Sequence, residues 1–70
     1  MLVVPRISLK AARVNAGLSQ KEAAEKLDIS RATLQNYENG KTTPDVLMSR
    51  KIEELYRFPT DYILFGTNTA

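Results

Sequence analysis

The chain has 70 residues, ten Lys and Arg against eight Asp and Glu for a net charge of +2, and neither cysteine nor histidine. That length allows one domain with a modest core, and the missing cysteines exclude a disulfide framework and a zinc-thiolate site. Without histidine the usual general base and the commonest neutral metal ligand are gone, and the carboxylates show no paired or ligand-like spacing, so no enzyme, cofactor or metal is expected.

A charge of +2 is too small by itself to argue for a polyanionic partner, so the placement of the charges must carry that argument. No apolar run approaches the roughly 20 residues that cross a bilayer, and the opening MLVVPRIS lacks the long apolar core of a signal peptide. A cytoplasmic protein with neither membrane nor small-molecule substrate is expected.

Residues 1–7 are apolar and β-branched but interrupted by Pro5, which predicts a short extended arm. Such an arm is either a tail laid over the core, or a dimer contact or DNA-following strand that works through Arg6. Ser8 caps a first helix running to about Ala16, where Leu9, Ala12, Arg13 and Ala16 share a face and Gly17 supplies a left-handed stop.

Ser19 opens a second helix, and Glu22 three residues later completes an S-x-x-E capping box that satisfies two otherwise free backbone donors. Leu18, Ala23, Ala24 and Leu27 turn inward together, and the two alanines let another helix come close. Asp28 tolerates positive φ, Ile29 drops into the core, and Ser30 caps a third helix over 30–38 that stops at Asn39 and Gly40. A break of about three residues forces the third helix to cross the second steeply, which is the helix-turn-helix pattern. On the third helix Leu34 and Tyr37 face in, while Arg31, Ala32, Gln35 and Asn36 fall on the opposite side at i, i+1, i+4 and i+5.

After a polar loop over 41–43, Thr43 and Pro44 read as cap and first residue of a fourth helix that reaches about Tyr56, with Asp45 favourably placed against its dipole. Met48, Ile52, Leu55 and Tyr56 form the inward stripe, and Val46 and Leu47 widen it at the start. Pro59 enforces a break over 57–59. A fifth, short helix over 60–65 places Tyr62, Ile63 and Phe65 around one turn before Gly66, as core residues or as part of a two-fold interface, and the tail 67–70 frays. The expected fold is all-α, five helices over 8–66 and no sheet. Lys10, Lys21, Lys26, Arg50 and Lys51 read as solvating charges.

The run LSQKEAAEKLDISRATLQNYENGK over 18–41 resembles the DNA-binding domains of the lambdoid phage repressors and Cro proteins, the XRE-type helix-turn-helix family. The similarity extends from Leu9 through Pro44 to the DYILFG that ends at Gly66. It implies a compact repressor-like domain that binds double-stranded DNA sequence-specifically, with helix 30–38 in a major groove, and that regulates transcription as a repressor. It further implies a homodimer on a two-fold operator with half-sites about 34 Å apart, in the nucleoid of a bacterial or phage-infected cell.

By the same resemblance, Gln20, Arg31, Ala32, Gln35 and Asn36 occupy base-reading positions, and Gln20 matches a glutamine that in several members braces both base and phosphate. Arginine suits guanine O6 and N7, glutamine or asparagine suits adenine N6 and N7, and the Ala32 methyl suits a thymine methyl, so a mixed site is expected. Phosphate contacts would fall to Ser19, Asn39, Lys41 and Thr42. Arg13 and Glu38 match an inner, structural ion pair that ties the first helix to the end of the third.

Four positions depart from the family pattern: Ala23 and Ser49 where leucine is usual, Asp28 where glycine is usual, and Glu53 where alanine is usual. These predict a fourth helix whose middle is rotated or less buried than in relatives. The rival reading of the same fold is a protein-interaction module, such as an antitoxin or adaptor. An apolar or acidic face over the third helix would mark it, and the polar, amide-rich face argues against it.

Overall fold

The computed structural model describes residues 6–59 and 63–64. In chain order these form β1 (Ile7–Ser8), α1 (Leu9–Asn15), α2 (Gln20–Leu27), α3 (Arg31–Asn39), α4 (Val46–Tyr56) and β2 (Ile63–Leu64).

Each helix starts where a short polar side chain captures a first-turn amide. The hydroxyls of Ser8, Ser19 and Ser30 accept from the amides of Ala11, Glu22 and Thr33, each at 3.0 Å, and the Asp45 carboxylate accepts from Met48 at 2.8 Å. Caps of this kind stabilise by about 1 kcal/mol each.

Three helices also stop by one device, a left-handed residue with a backbone bond reaching back across it. Leu18 N donates to Arg13 O at 3.2 Å, Ile29 N to Ala24 O at 3.0 Å and Lys41 N to Asn36 O at 2.9 Å, over Gly17, Asp28 and Gly40. Asp28 holds φ 59° where glycine would be unstrained, as its short polar side chain allows. α4 also ends on a left-handed residue, Arg57 at φ 55°, whose amide donates to Glu53 O at 2.9 Å.

The core gathers Leu9 and Ala12 from α1, Ala23, Ala24 and Leu27 from α2, Leu34 from α3, Ile52 and Tyr56 from α4, and Ile63 from β2. Ala23 and Ala24 are at most 1% exposed, so their small size sets how near the neighbouring helices come to α2. On α4, Glu53 is exposed and Ser49 half-buried, so the buried stripe of that helix rests on Ile52 and Tyr56, with Met48 and Leu55 partly covered.

Three expectations are corrected. First, the described residues hold four helices and a two-stranded parallel sheet: Ile7 pairs with Ile63 and Ser8 with Leu64. Ile63 and Leu64 are therefore extended and not part of a fifth helix. A single helical turn is marginal alone, whereas β-branched Ile7 and Ile63 suit extended backbone whose polar groups pair across the strands. The remainder of that expected helix, with Tyr62, Phe65 and Gly66, lies outside the described residues, as do 1–5 and the tail 67–70.

Second, α4 is capped by Asp45, and Pro44 stays outside the helix as a buried residue. The carboxylate accepts the Met48 amide, and aspartate is a stronger cap than Thr43. Third, Val46 and Leu47 are 72% and 67% exposed and do not widen the core stripe. At about 100° per residue they lie roughly 120° and 140° around the helix from Ile52, off the line through Met48, Ile52 and Tyr56.

Candidate nucleic-acid interface

Seated by Leu34 and Tyr37, α3 turns its other side outward. Arg31, Ala32 and Gln35 are exposed and Asn36 is half-buried. Among the described residues the polar ends of Arg31, Gln35 and Asn36 have no hydrogen-bond partner in the chain. Arg31 brings a planar fork of donors, while Gln35 and Asn36 each bring a donor and an acceptor. At the front of this helix Ser30 takes the Thr33 amide with its hydroxyl and the Leu34 amide with its carbonyl. The amides of Arg31 and Ala32 remain, at the positive end of the helix dipole.

The front of α2 repeats that arrangement. Ser19 N donates to Glu22 Oε1 at 2.9 Å and the Ser19 hydroxyl accepts from Glu22 N at 3.0 Å. The Glu22 carboxyl is held below its ordinary range, by the Ser19 amide first and the Ser19 hydroxyl second. Ser19 is thereby engaged within the chain, and the backbone donors left at this end belong to Gln20 and Lys21. A complete capping box leaves the first two helical amides over, and the Lys21 side chain is exposed.

Beyond α3, Asn39, Lys41 and Thr42 are exposed. The amides of Lys41 and Thr42 both donate to Asn36 O, at 2.9 and 3.3 Å. The loop therefore offers its side chains, chiefly the Lys41 ammonium and the Thr42 hydroxyl, and not its backbone.

Beneath these surfaces Arg13 and Glu38 meet, joining α1 to the end of α3. Arg13 Nε donates to Glu38 Oε2 at 2.8 Å and Nη2 to Oε1 at 3.4 Å, and Nη1 donates to Leu18 O at 2.9 Å. The two side chains are only 9% and 6% exposed. Gln20 joins them, its Nε2 donating to Glu38 Oε1 at 3.2 Å. Nothing local in the sequence announces this last bond, which spans 18 positions.

The Tyr56 hydroxyl, within reach of the pair's charges, is buried and has no hydrogen-bond partner among the described residues. Burial first, and the Glu38 charge second, push its pKa up to about 12, against a smaller opposing effect of Arg13. An unfolded tyrosine ionises near 10, so this contribution is complete below pH 10 and is lost as pH rises from 10 through about 12. Chemical denaturation across that range should show a falling midpoint in the natural chain and a flatter profile in Tyr56→Phe. Equal slopes would place the hydroxyl in water.

Among the described residues there is no pocket, no group of three or more side chains able to hold a metal ion, and no helix long and apolar enough to cross a membrane.

The profile of the helix-turn-helix family matches residues 9–63, and the chain belongs to that family, in its XRE-type branch. It is similar to the HTH-type transcriptional regulator ImmR of Bacillus subtilis (strain 168), at 50% identity over 56 residues, covering 80% of this chain and 44% of that protein. It is also similar to the SPbeta prophage-derived uncharacterized HTH-type transcriptional regulator YonR of the same organism, at 37% identity over 60 residues, covering 86% and 56%. The chain thus spans about half the length of the curated relatives it matches. No solved structure matches it significantly.

Proposed function

We propose that this chain binds double-stranded DNA sequence-specifically and regulates transcription as a repressor, with α3 lying in the major groove. The observation that carries the reading is the outer face of α3, where Arg31, Gln35 and Asn36 hold hydrogen-bonding groups that no partner among the described residues uses. A helix of nine residues seated on one side by Leu34 and bare on the other has the width and chemistry of a groove reader. The names of the relatives, both transcriptional regulators, support the same conclusion.

In this reading Arg31, Ala32, Gln35, Asn36 and Gln20 meet base edges. Phosphates are held by the front of α2 around Ser19 and by Asn39, Lys41 and Thr42. The function is regulatory binding and not catalysis, in the cytoplasm where the DNA lies. The working form is a homodimer on a two-fold operator, because one module of this size covers too little DNA for tight binding. The exposed Val46 and Leu47, a few residues beyond the phosphate loop, are apolar surface available to a second copy.

Selection from a random DNA pool is expected to return two inverted half-sites about one helical turn apart. Arg31→Ala should weaken binding by about 1–3 kcal/mol and relax preference at one base pair, read by fluorescence anisotropy on the selected site and its single-base variants. If affinity and preference both survive that change, α3 is not the reading element. Lys41→Ala should weaken all sequences alike and lower the slope of log affinity against log salt by about 1. A slope that does not move would remove Lys41 from the phosphate contacts.

A further inference from the structure

We propose that Glu38, itself held by Arg13, is a positioning residue that turns the Gln20 amide so that its carbonyl oxygen accepts from the exocyclic amino group of an adenine or a cytosine. The proposal rests on the DNA-binding reading above and deepens it at one position. A carboxylate held by Arg13 has only acceptors to offer, so the amide that touches it must point its nitrogen inward, and the orientation follows from chemistry. The bond runs from Gln20 Nε2 to Glu38 Oε1 at 3.2 Å.

The anchor is itself tied on both oxygens. Both Glu38 oxygens take bonds from Arg13, whose third nitrogen is tied to Leu18 O, one residue before the cap of α2. Gln20 is half-buried as the first residue of that helix, and its carbonyl oxygen has no partner among the described residues. A free glutamine presents donor or acceptor with equal ease, whereas this one is committed before DNA arrives and loses less side-chain freedom on binding. Phosphate oxygens cannot donate to the exposed carbonyl. In the major groove the donors are adenine N6 and cytosine N4.

Two measurements on the full chain test this. In the free protein, NMR exchange of the Gln20 side-chain amide protons with water should be at least tenfold slower than that of unpartnered Gln35. Equal rates overturn the anchoring. In pool selection, the natural chain should demand adenine or cytosine at one position where Gln20→Met loses roughly fivefold to tenfold of its discrimination, with the α3 positions unchanged. Glu38→Gln, whose oxygen is held by Arg13 and whose nitrogen then faces Gln20, should turn the Gln20 amide over and shift the same base pair away from adenine or cytosine. If that variant fails to fold, the exchange rates and Gln20→Met decide. A Gln20→Met consensus identical to the natural one overturns this proposal alone, while a natural chain that selects no sequence overturns it together with the DNA-binding reading.

Discussion

Glu38→Ala is expected to lower stability by about 3–5 kcal/mol, measured by urea denaturation followed by circular dichroism. The substitution leaves the Arg13 guanidinium, 9% exposed, with the Leu18 carbonyl as its hydrogen-bond partner and no countercharge among the described residues. Gln20 loses its acceptor in the same change. A domain of 70 residues holds roughly 4–10 kcal/mol in all, so the variant should be near its folding threshold. The damage arises from stranding a buried charge and not from any large net value of the pair. Arg13→Met with Glu38→Leu should therefore be less destabilised than Glu38→Ala alone. A denaturation midpoint unchanged in Glu38→Ala would show that the pair is solvated in solution.

Leu34→Ala should cost about 2–5 kcal/mol, the price of removing a fully buried side chain and leaving a cavity. Leu34 is 0% exposed and is the buried anchor on the inner side of α3. The same change should loosen the seat of the proposed reading helix, so affinity for the selected site should fall even though Leu34 touches no DNA. Thermal unfolding should drop by roughly 8–40 °C, taking 4–8 °C per kcal/mol for a domain of this size. A loss under about 1 kcal/mol would mean that α3 is held by its ends and not by its core face.

These two expectations mark the unequal legibility of the chain. The serines at 8, 19 and 30, the Glu22 of the capping box and the stops at Gly17, Asp28 and Gly40 could be read directly, because each acts over three to five residues of its own neighbourhood. The outward set Arg31, Ala32 and Gln35 followed from helical periodicity once those ends were known. Thr43, Pro44 and Asp45 all favour a helix start, and the competition among neighbours is settled by which side chain reaches the Met48 amide. Val46 and Leu47 are ambiguous in turn, since apolar character near a helix start says nothing of which side the core lies on.

By itself, then, the sequence determined where α1, α2 and α3 begin and end and which side of α3 stays polar, since caps, left-handed stops and period are local chemistry. Only the tertiary structure decided that Ile63 lies beside Ile7 as a strand, that Val46 and Leu47 face solvent, and that Gln20 reaches Glu38. Those outcomes depend on segments distant along the chain meeting in space, where packing and pairing choose among conformations that local preference leaves nearly equal in energy.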